Sequence, residues 1–342
     1  MIEEYLGKKN KIVALGLVSG GLDSLIACLI IKLQGIKVIG LNFKSPFCIS
    51  ENISKATSCD LTVFNEKLGI KANIISIEDD YLEVIRKPEY GYGRNLNPCI
   101  DCRIYFLKKA KEFQEEIGAD LIFTGEVLDQ RPKSQHLKAL KIVEKKSGLE
   151  GKLLRPLSAL LLEPTIYEKQ GLIDRSKLLA IKGRSRKIQL ELAKKYNLLQ
   201  EYYAGGGCLL TDNNFVNRMR DYLRFNELLK IEDINILKYG RHFRYKQTKI
   251  IVGRNESENK ILLNLKKPEN LIMEAKDEVG PITIIQGPLD KEVINFAAML
   301  TLRYSDYSSF VGEVIYGKSY NDLDCIITVK KAKENIIKMH IL

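Results

Sequence analysis

A short segment near the start of the chain has the residue types needed to bind phosphate. It follows an apolar run over 12–18 and consists of Ser19, Gly20, Gly21, Leu22, Asp23 and Ser24. The two glycines allow a tight turn in which several backbone N–H groups face one point, and the N-terminus of a following helix adds positive potential there. Asp23 can hold a Mg²⁺ ion that bridges phosphate oxygens. Because no lysine follows the glycines, the segment is not a Walker-type loop.

Three of the seven cysteines form a second candidate site. Cys99 and Cys102 are separated by two residues, just ahead of an expected helix, and Cys208 follows three glycines. Thiolates at the spacing of the first two can reach one metal ion. Three cysteines are one ligand short of a closed zinc site or a fully ligated iron-sulfur cubane, so one iron of a cluster could carry an exogenous sulfide.

Two other interpretations of these cysteines stay open. A structural zinc site could be completed by His136, by His242 or by an acidic residue. Alternatively, no metal is bound, and Cys99 or Cys102 works with Cys208 as a persulfide-carrying pair. The remaining cysteines stand alone in the sequence, and each is predicted to be a small buried hydrophobe: Cys28, Cys48, Cys59 and Cys325.

The elements that must position these residues alternate between strands and helices. Buried parallel strands are predicted over 12–18, 36–43, 73–77 and 120–124. Helices are predicted over 22–34, 53–68, 103–117 and 189–196, a loop over 84–98, and a glycine-rich turn over 202–208. This order predicts an α/β fold with a doubly wound parallel sheet over residues 1–220, and ligands at the carboxyl ends of its strands.

The pattern changes towards the end of the chain, which predicts a second, smaller α+β domain over 226–342. Its expected strands cover 249–252, 260–265, 282–286 and 325–329, and its expected helix covers 291–304. The whole sequence has 342 residues, which fits two domains. An acidic N-terminus and the lack of a long apolar run predict a cytoplasmic protein that does not associate with membranes.

Positive charge is concentrated in the middle of the chain. The net charge of the protein is +11, and the segment 131–225 alone has 20 lysines and arginines against 9 acidic residues. Such a segment is typical of a protein that binds a polyanion. The RNA-facing part is predicted over 131–220, and some of its basic residues should contact the ATP triphosphate instead. The candidates are Arg131, Lys133, Arg155, Arg184, Arg186 and Lys187.

The segment Ser19–Ser24 resembles the pyrophosphate loop, SGGxDS, of the PP-loop ATPase superfamily. Members of that superfamily cleave ATP between the α- and β-phosphates and adenylate a substrate. The resemblance implies that adenine lies against Leu41 and Phe43 and beside Gly125, which follows the strand over 120–124. The cysteine pattern, with Asn97-Pro98 before it, resembles the tRNA thiolases of this superfamily, of the MnmA and ThiI type.

This resemblance implies an ATP-dependent tRNA uridine thiolase. The catalytic residues would be Asp23, Cys99, Cys102 and Cys208, and the cofactors ATP, Mg²⁺ and a 4Fe-4S cluster held by the three cysteines, with Zn²⁺ or a metal-free persulfide as alternatives. Its partners would be tRNA and a sulfur donor, either sulfide or a cysteine desulfurase. The preferred product is 4-thiouridine at tRNA position 8, and 2-thiouridine at position 34 is the alternative. The sequence does not predict the oligomeric state.

The tail, with Ile250-Ile251-Val252-Gly253-Arg254-Asn255, resembles the NFACT-R domain, an RNA-binding module. Two rival functions remain. A PP-loop synthetase or amidotransferase would adenylate its substrate for attack by ammonia or an amine and would not need the cysteines. A non-catalytic tRNA-binding factor would bind nucleotide at the loop without releasing pyrophosphate.

Overall fold

The computed structural model describes residues 12–48, 61–199 and 207–342, and the chain divides into two compact units, Met1–Thr211 and Asp212–Leu342. The expected helix over 53–68 is seen only from Thr62, because 49–60 lie outside the described residues, as does Cys59. Most of the glycine-rich turn, 202–206, also lies outside them.

The first unit contains a parallel sheet of five strands in the order β3-β2-β1-β4-β5. The strands are β1 (Val13–Leu17), β2 (Lys37–Lys44), β3 (Ala72–Ser76), β4 (Leu121–Thr124) and β5 (Leu153–Leu154). Strand order reverses at β1, so the carboxyl ends of β1, β2 and β4 meet at the switch point where doubly wound sheets bind ligands. The predicted fold class of this part is confirmed.

Helices cover both faces of this sheet. They are α1 (Leu22–Lys32), α2 (Thr62–Leu68), α3 (Asp80–Arg86), α4 (Cys99–Glu116), α5 (Leu137–Ser147), α6 (Ile166–Lys169) and α7 (Lys187–Lys195). One apolar core joins the buried residues of α1, α2 and α7, and a second core joins those of α4 and α5 to the other face. Burial on both faces explains why the strands are nearly continuous apolar runs.

Two local differences from the sequence prediction affect the site. Helix α3 extends into the expected loop, as far as Arg86, and α4 begins at Cys99 rather than at residue 103. The backbone N–H of Cys102 donates to the carbonyl of Pro98 at 2.8 Å, so the first turn of α4 already includes both cysteines.

The second unit is built on a six-stranded antiparallel sheet in the order β11-β10-β8-β9-β7-β6. The strands are β6 (Arg241–Tyr245), β7 (Thr248–Val252), β8 (Leu271–Ala275), β9 (Thr283–Gln286), β10 (Val311–Gly317) and β11 (Cys325–Lys330). The helices are α8 (Asn213–Phe225), α9 (Ile231–Leu237), α10 (Glu256–Leu265), α11 (Lys291–Arg303) and α12 (Glu334–His340). The predicted α+β class of this part is also confirmed.

The strand predicted over 260–265 is wrong, because these residues belong to helix α10. Asn255 caps this helix by accepting a hydrogen bond from the N–H of Glu258 at 2.9 Å, and Glu256 pairs with Lys260 one turn later at 2.6 Å. A short apolar run does not distinguish a strand from a helix, and here the cap and the charge pair decide.

The boundary between the units also differs from the prediction, which ended the first domain at residue 220, inside α8. The compact units divide at Thr211, and α8 contacts α9 of the second unit. Across the described ranges, none of the helices combines the length and the apolar character that crossing a membrane requires.

Candidate active site

The turn between β1 and α1 is shaped to receive an anion. Gly20 adopts a left-handed backbone conformation with φ of +75°, and Gly21 begins the helix without any side chain capping it. Ser24 instead holds the turn together: its Oγ donates to the Gly21 carbonyl at 2.8 Å and accepts from the N–H of Ser19 at 3.3 Å. The N–H groups of the first helical turn therefore stay available to a phosphate.

Gly125 follows β4, and because it has no side chain, the backbone there can approach this turn closely. A Cβ at Gly125 would lie 2.7 Å from both the Cα and the N of Ser24. A side chain there would displace the first turn of α1, so Gly125 is needed for packing as well as for access to the cavity.

Asp23 is held in place by two glutamines that the sequence analysis did not identify. Gln130, which follows β4, donates to one carboxylate oxygen at 3.0 Å, and Gln189 of α7 donates to the other at 3.0 Å. Gln189 is completely buried. The carboxylate keeps further lone pairs for a Mg²⁺ ion, and carboxylate oxygen is a ligand that Mg²⁺ prefers.

These groups border a cavity of about 260 Å³ at the carboxyl ends of β1, β2 and β4. Its walls include predicted ATP-binding residues, namely Ser19, Gly21, Leu22, Asp23, Ser24, Leu41, Phe43 and Gly125. Three guanidinium groups also line it: those of Arg103, Arg131 and Arg186. Planar cationic groups around a helix N-terminus suit a triphosphate.

A buried carboxylate positions one of these arginines. Glu126 pairs with Arg103 at 3.3 Å and with Arg155 at 2.9 Å, and it accepts a hydrogen bond from Thr124 at 3.2 Å. Burial tends to raise the pKa of Glu126, but the two arginines outweigh it and the pKa is lowered. Glu126 therefore remains ionised, and it fixes Arg103 at the cavity wall.

The structure separates the six predicted RNA-facing residues into groups. Arg184 and Lys187 are exposed, whereas the amino group of Lys133 donates to the Tyr90 carbonyl at 3.4 Å. Arg131 and Arg186 line the cavity, which places them beside the expected triphosphate. Arg155 corrects the prediction: it is 2% exposed and pairs with Glu126 and Glu144, so it is an interior ion pair and does not face RNA.

We predict that Arg155→Ala lowers the free energy of unfolding by about 3–5 kcal/mol, because the buried carboxylate of Glu126 loses the closer of its two arginine partners. The exposed Arg184 offers a matched comparison: Arg184→Ala should leave the melting temperature unchanged and weaken tRNA binding. Thermal unfolding and tRNA titration of both variants test this. Normal stability together with weakened RNA binding in Arg155→Ala would contradict the interior role.

The three predicted cysteines come together beside Tyr81. The Tyr81 hydroxyl donates to Cys102 Sγ at 3.1 Å, and Cys99 Sγ donates to Asn97 Oδ1 at 2.9 Å. The pKa of Cys208 is raised to about 12, mainly by burial, and the neighbouring Cys102, Cys99 and Cys48 contribute to the rise. The fourth thiol, Cys48, was predicted to be only a buried hydrophobe, yet the structure places it half-buried within this group.

The thiols adjoin the nucleotide cavity. Burial raises the pKa of Cys99, but Arg131 and Arg103, which both line the cavity, act against this rise. Aromatic rings lead from the cavity to the thiols: Phe43 stacks on Phe106 with centroids 4.9 Å apart, and Phe106 stacks on Tyr81 at 5.4 Å. Cys99 and the cavity therefore have Arg103 and Arg131 as common neighbours.

The arrangement does not form a metal-ligand set. Within the residues that the structure describes, no group of three or more histidine, cysteine, aspartate or glutamate side chains is placed to hold a metal ion. The histidines suggested as zinc ligands have other roles. His136 caps α5 by accepting from the N–H of Ala139 at 3.2 Å, and His242 is completely buried on β6 of the second unit. Cys99 and Cys102, which were expected to bind a cluster, are hydrogen-bonded to Asn97 and Tyr81.

We expect these thiols to react slowly near neutral pH. Burial raises the pKa of Cys102 from 9.0 to about 11, so less thiolate is present at any pH below that value. At pH 8 the rate of iodoacetamide modification of Cys102 should be about 100-fold below that in the unfolded chain, and it should rise about tenfold per pH unit. Peptide mass spectrometry at several pH values measures these rates. Equal rates in folded and unfolded protein would contradict the burial.

Two family models match the chain. The model described as "Thiamine biosynthesis protein (ThiI)" matches residues 7–166, and the model described as "NFACT protein RNA binding domain" matches residues 240–341. The first half of the chain is thus similar to the ThiI family, and the last third is similar to the NFACT RNA-binding domain. The first match contains the phosphate loop and the Cys99–Cys102 pair, and the second covers the whole of the antiparallel sheet.

Similar proteins include two enzymes named tRNA-specific 2-thiouridylase MnmA. The chain is 32% identical to that of Geobacter metallireducens over 136 residues, which are 34% of this chain and 35% of the relative. It is 28% identical to that of Karelsulcia muelleri over 267 residues, 72% of this chain and 63% of the relative. The chain thus spans less than two thirds of the length of these relatives. A solved complex of a 4-thiouridine synthetase with RNA and bound ATP has 20% identity and a TM-score of 0.41, covering 66% of this chain and 52% of that one.

The first unit contains several site residues that sequence reasoning missed. Arg103 directly follows the cysteine pair, so its position on the first turns of α4 could have been inferred. Gln130, Gln189 and Tyr81 are far from Asp23 and Cys102 in sequence, and their roles depend on tertiary contacts that no local pattern reports.

Proposed function

We propose that this protein is an ATP-dependent tRNA uridine thiolase. The observation that supports the proposal most directly is the position of Arg103 and Arg131. Both line the cavity beside the phosphate loop, and both act on the pKa of Cys99. An anion site for ATP and a group of thiols thus share two residues, as expected of an enzyme that activates a base and then supplies sulfur to it.

The first step activates the uracil base with ATP at the phosphate loop. The uracil carbonyl oxygen attacks the α-phosphorus of ATP, the bond to the β-phosphate breaks, and pyrophosphate leaves towards the loop over 19–24. Backbone N–H groups of that loop, with Arg131 and Arg186, stabilise the charge that develops on the phosphates. A Mg²⁺ ion bound at Asp23 would neutralise phosphate oxygens. Adenine is assigned to the wall formed by Leu41, Phe43 and Gly125.

The second step takes sulfur from the cysteine group. We assign the sulfur to a cysteine persulfide, the metal-free alternative, because Tyr81 and Asn97 hold the sulfurs of Cys102 and Cys99 by hydrogen bonds. The terminal sulfur of the persulfide attacks the activated ring carbon, and AMP leaves with the former carbonyl oxygen. A thiol reductant then attacks the cysteine sulfur, the S–S bond breaks, and the terminal sulfur stays on the base with the electron pair. The donor must then be a sulfane-sulfur carrier such as a cysteine desulfurase. Iron and sulfide counts after anaerobic purification test this assignment, and stoichiometric iron would overturn it.

The proposed partner is tRNA, and the proposed product is 4-thiouridine at position 8. The exposed Arg184 and Lys187 are assigned to its backbone. The second unit, which is similar to the NFACT RNA-binding domain, is assigned a further RNA-binding surface. The relatives named 2-thiouridylases favour a second candidate, 2-thiouridine at position 34.

The test uses unmodified tRNA transcripts, ATP, Mg²⁺ and a persulfide donor, with nucleosides identified by mass spectrometry. One transcript has cytidine at position 8 and another has cytidine at position 34. The proposal predicts 4-thiouridine that disappears only with the position 8 change. Loss of 2-thiouridine with the position 34 change would select the second candidate, and the absence of any thionucleoside would overturn the proposed function.

A further inference from the structure

The second unit has a cavity of its own, with a volume of about 420 Å³. Its walls come from α8, α9, β6, β7 and the end of β9. The volume lies in the range of sites that bind small molecules, and polar groups with aromatic rings line it. The lining residues that matter most are Tyr222, Phe225, Asp233, Arg244, Lys249 and Glu269.

Two cations at this cavity share one carboxylate. Arg244 Nε donates to Asp221 Oδ1 at 2.8 Å, and Lys249 Nζ lies 3.4 Å from Oδ2 of the same side chain. Lys249 is 3% exposed, and burial lowers its pKa to about 8, so it is still charged at neutral pH. A buried charge is costly unless it is paired and hydrogen-bonded. A ligand with hydrogen-bond acceptors would therefore stabilise this pair of cations.

The cavity also has carboxylates that would repel a phosphate group. Asp233 is buried and pairs with Lys267 at 2.8 Å, and Glu269 is exposed. Together with Asp221, these two carboxylates equal in number the three cationic side chains of the wall. A neutral ligand that has both acceptors and donors matches such a lining better than an anion does.

Aromatic rings of α8 provide a stacking surface in the same cavity. The Phe225 ring is 41% exposed, and the guanidinium group of Arg244 lies 4.1 Å from its centroid. Lys249 Nζ lies 6.0 Å from the centroid of the Tyr222 ring. Exposed aromatic rings beside cationic groups are typical of sites that stack unpaired nucleic-acid bases. The lining therefore suits a planar, neutral ligand.

Guanine has the hydrogen-bonding groups that this lining complements. Its O6 and N7 are adjacent acceptors, which arginine and lysine side chains bind together. Its N1–H and N2 amino groups are adjacent donors, which a carboxylate accepts. Adenine has a donor beside N7, and the pyrimidines have no counterpart of the O6 and N7 pair.

We propose that this cavity binds one unpaired guanine base of RNA, and the choice of RNA as the partner rests on the proposed function. Phe225 stacks on the base, while Lys249 and Arg244 donate to N7 and O6. Asp233 accepts from the N1–H and N2 amino groups. The cavity is thus a second contact with the RNA, apart from the site of the reaction.

Exposed arginines on α8 favour a base within RNA over a free nucleotide. Arg220 and Arg224 are both exposed, and their spacing of four residues places them on one face of the helix. Arg224 directly precedes Phe225, so the phosphates that flank a stacked base come within reach of this face. A guanosine within a strand should therefore bind about tenfold or more tightly than GMP.

The first experiment measures which base is preferred. The full chain, without ATP, is titrated with fluorescent uridine decamers that have guanosine, adenosine, cytidine or uridine at the centre. Salt of about 0.2 M weakens binding that depends on phosphate alone. The guanosine decamer should bind about tenfold or more tightly than the other three, and GMP should displace it poorly. Equal affinities for the four decamers would overturn the proposal, and displacement by GMP at the affinity of the decamer would reassign the cavity to a free nucleotide.

The second experiment assigns the preference to this cavity. Phe225→Ala should bind the four decamers within a factor of about two of one another, because the stacking surface is lost. The matched control is Phe310→Ala, which removes another exposed ring of the same unit and should keep the preference. A full preference for guanosine in Phe225→Ala would overturn the proposal.

A change in the RNA tests the cation contact. Replacing the central guanosine by 7-deazaguanosine removes only the N7 acceptor, and it should weaken binding to the unmodified chain about tenfold. The loss should be smaller in Lys249→Met, whose fold is checked by thermal unfolding. An equal loss in both folded proteins would contradict the contact between Lys249 and the base.

These titrations do not depend on turnover. If guanosine is not preferred while the unmodified chain still forms thionucleoside, the assignment of the cavity is wrong and the proposed function stands. If thionucleoside is absent while the preference for guanosine and its loss in Phe225→Ala are both observed, the proposed function is wrong and the RNA-binding cavity stands.

Discussion

Replacing Asp23 with asparagine is expected to abolish turnover. The change removes the carboxylate charge that would hold Mg²⁺ at the phosphate loop while it preserves the shape of the side chain. Losing metal-assisted stabilisation of the leaving pyrophosphate should lower kcat by about 10³-fold or more. Asparagine can still accept a hydrogen bond from Gln130 or Gln189, so the connection from the loop to α7 is weakened and not lost.

Pyrophosphate release in the presence of tRNA measures this effect. The surface residue Asp174, which caps a short turn over 175–177, provides a matched control, and Asp174→Asn should release pyrophosphate at the normal rate. The tRNA affinity of Asp23→Asn should be unchanged, because RNA contacts are assigned to other residues. Turnover within a factor of about two of normal would contradict the assignment of Asp23 to the reaction.

Replacing Cys208 with serine is expected to separate the two halves of the reaction. Adenylation does not use the thiols, so pyrophosphate should still be released. Formation of thionucleoside should fall by about 10³-fold or more, because a hydroxyl group cannot carry the persulfide. The exposed Cys325 of the second unit is the control, and Cys325→Ser should make product normally.

The same experiment tests the rival synthetase function. An enzyme that directs ammonia or an amine at the adenylated base would not need Cys208, Cys99 or Cys102. Normal modification of tRNA by Cys208→Ser would therefore remove the sulfur-transfer account and favour that rival.

The sequence was sufficient for the parts of the site that local chemistry determines. The strand, glycine turn and helix over 12–32 form as predicted. The signals for all three, an apolar run, two glycines and apolar residues at helical spacing, lie within this one short segment. The cysteine pair was also visible from its spacing, although it was expected just ahead of the helix and not on its first turn. The fold class followed from the alternation of strands and helices.

Other parts depended on long-range contacts. Arg155 is of a residue type that often binds RNA, and it lies in the basic segment of the sequence. In the structure it forms an interior ion pair with Glu126 and Glu144, whose positions follow only from the folded sheet. Cys48 was predicted to be a small buried hydrophobe, and the backbone bridge instead places it opposite Cys208. The apolar residues over 260–265 suggested a strand, and the preceding cap made them a helix.

The most direct test of the central claim follows pyrophosphate and thionucleoside together in one reaction. If adenylation and sulfur transfer occur at a single site on the same base, each thionucleoside formed should be accompanied by one pyrophosphate, and neither should form when tRNA is omitted. Pyrophosphate released in step with tRNA while the nucleoside composition stays free of sulfur would contradict the account.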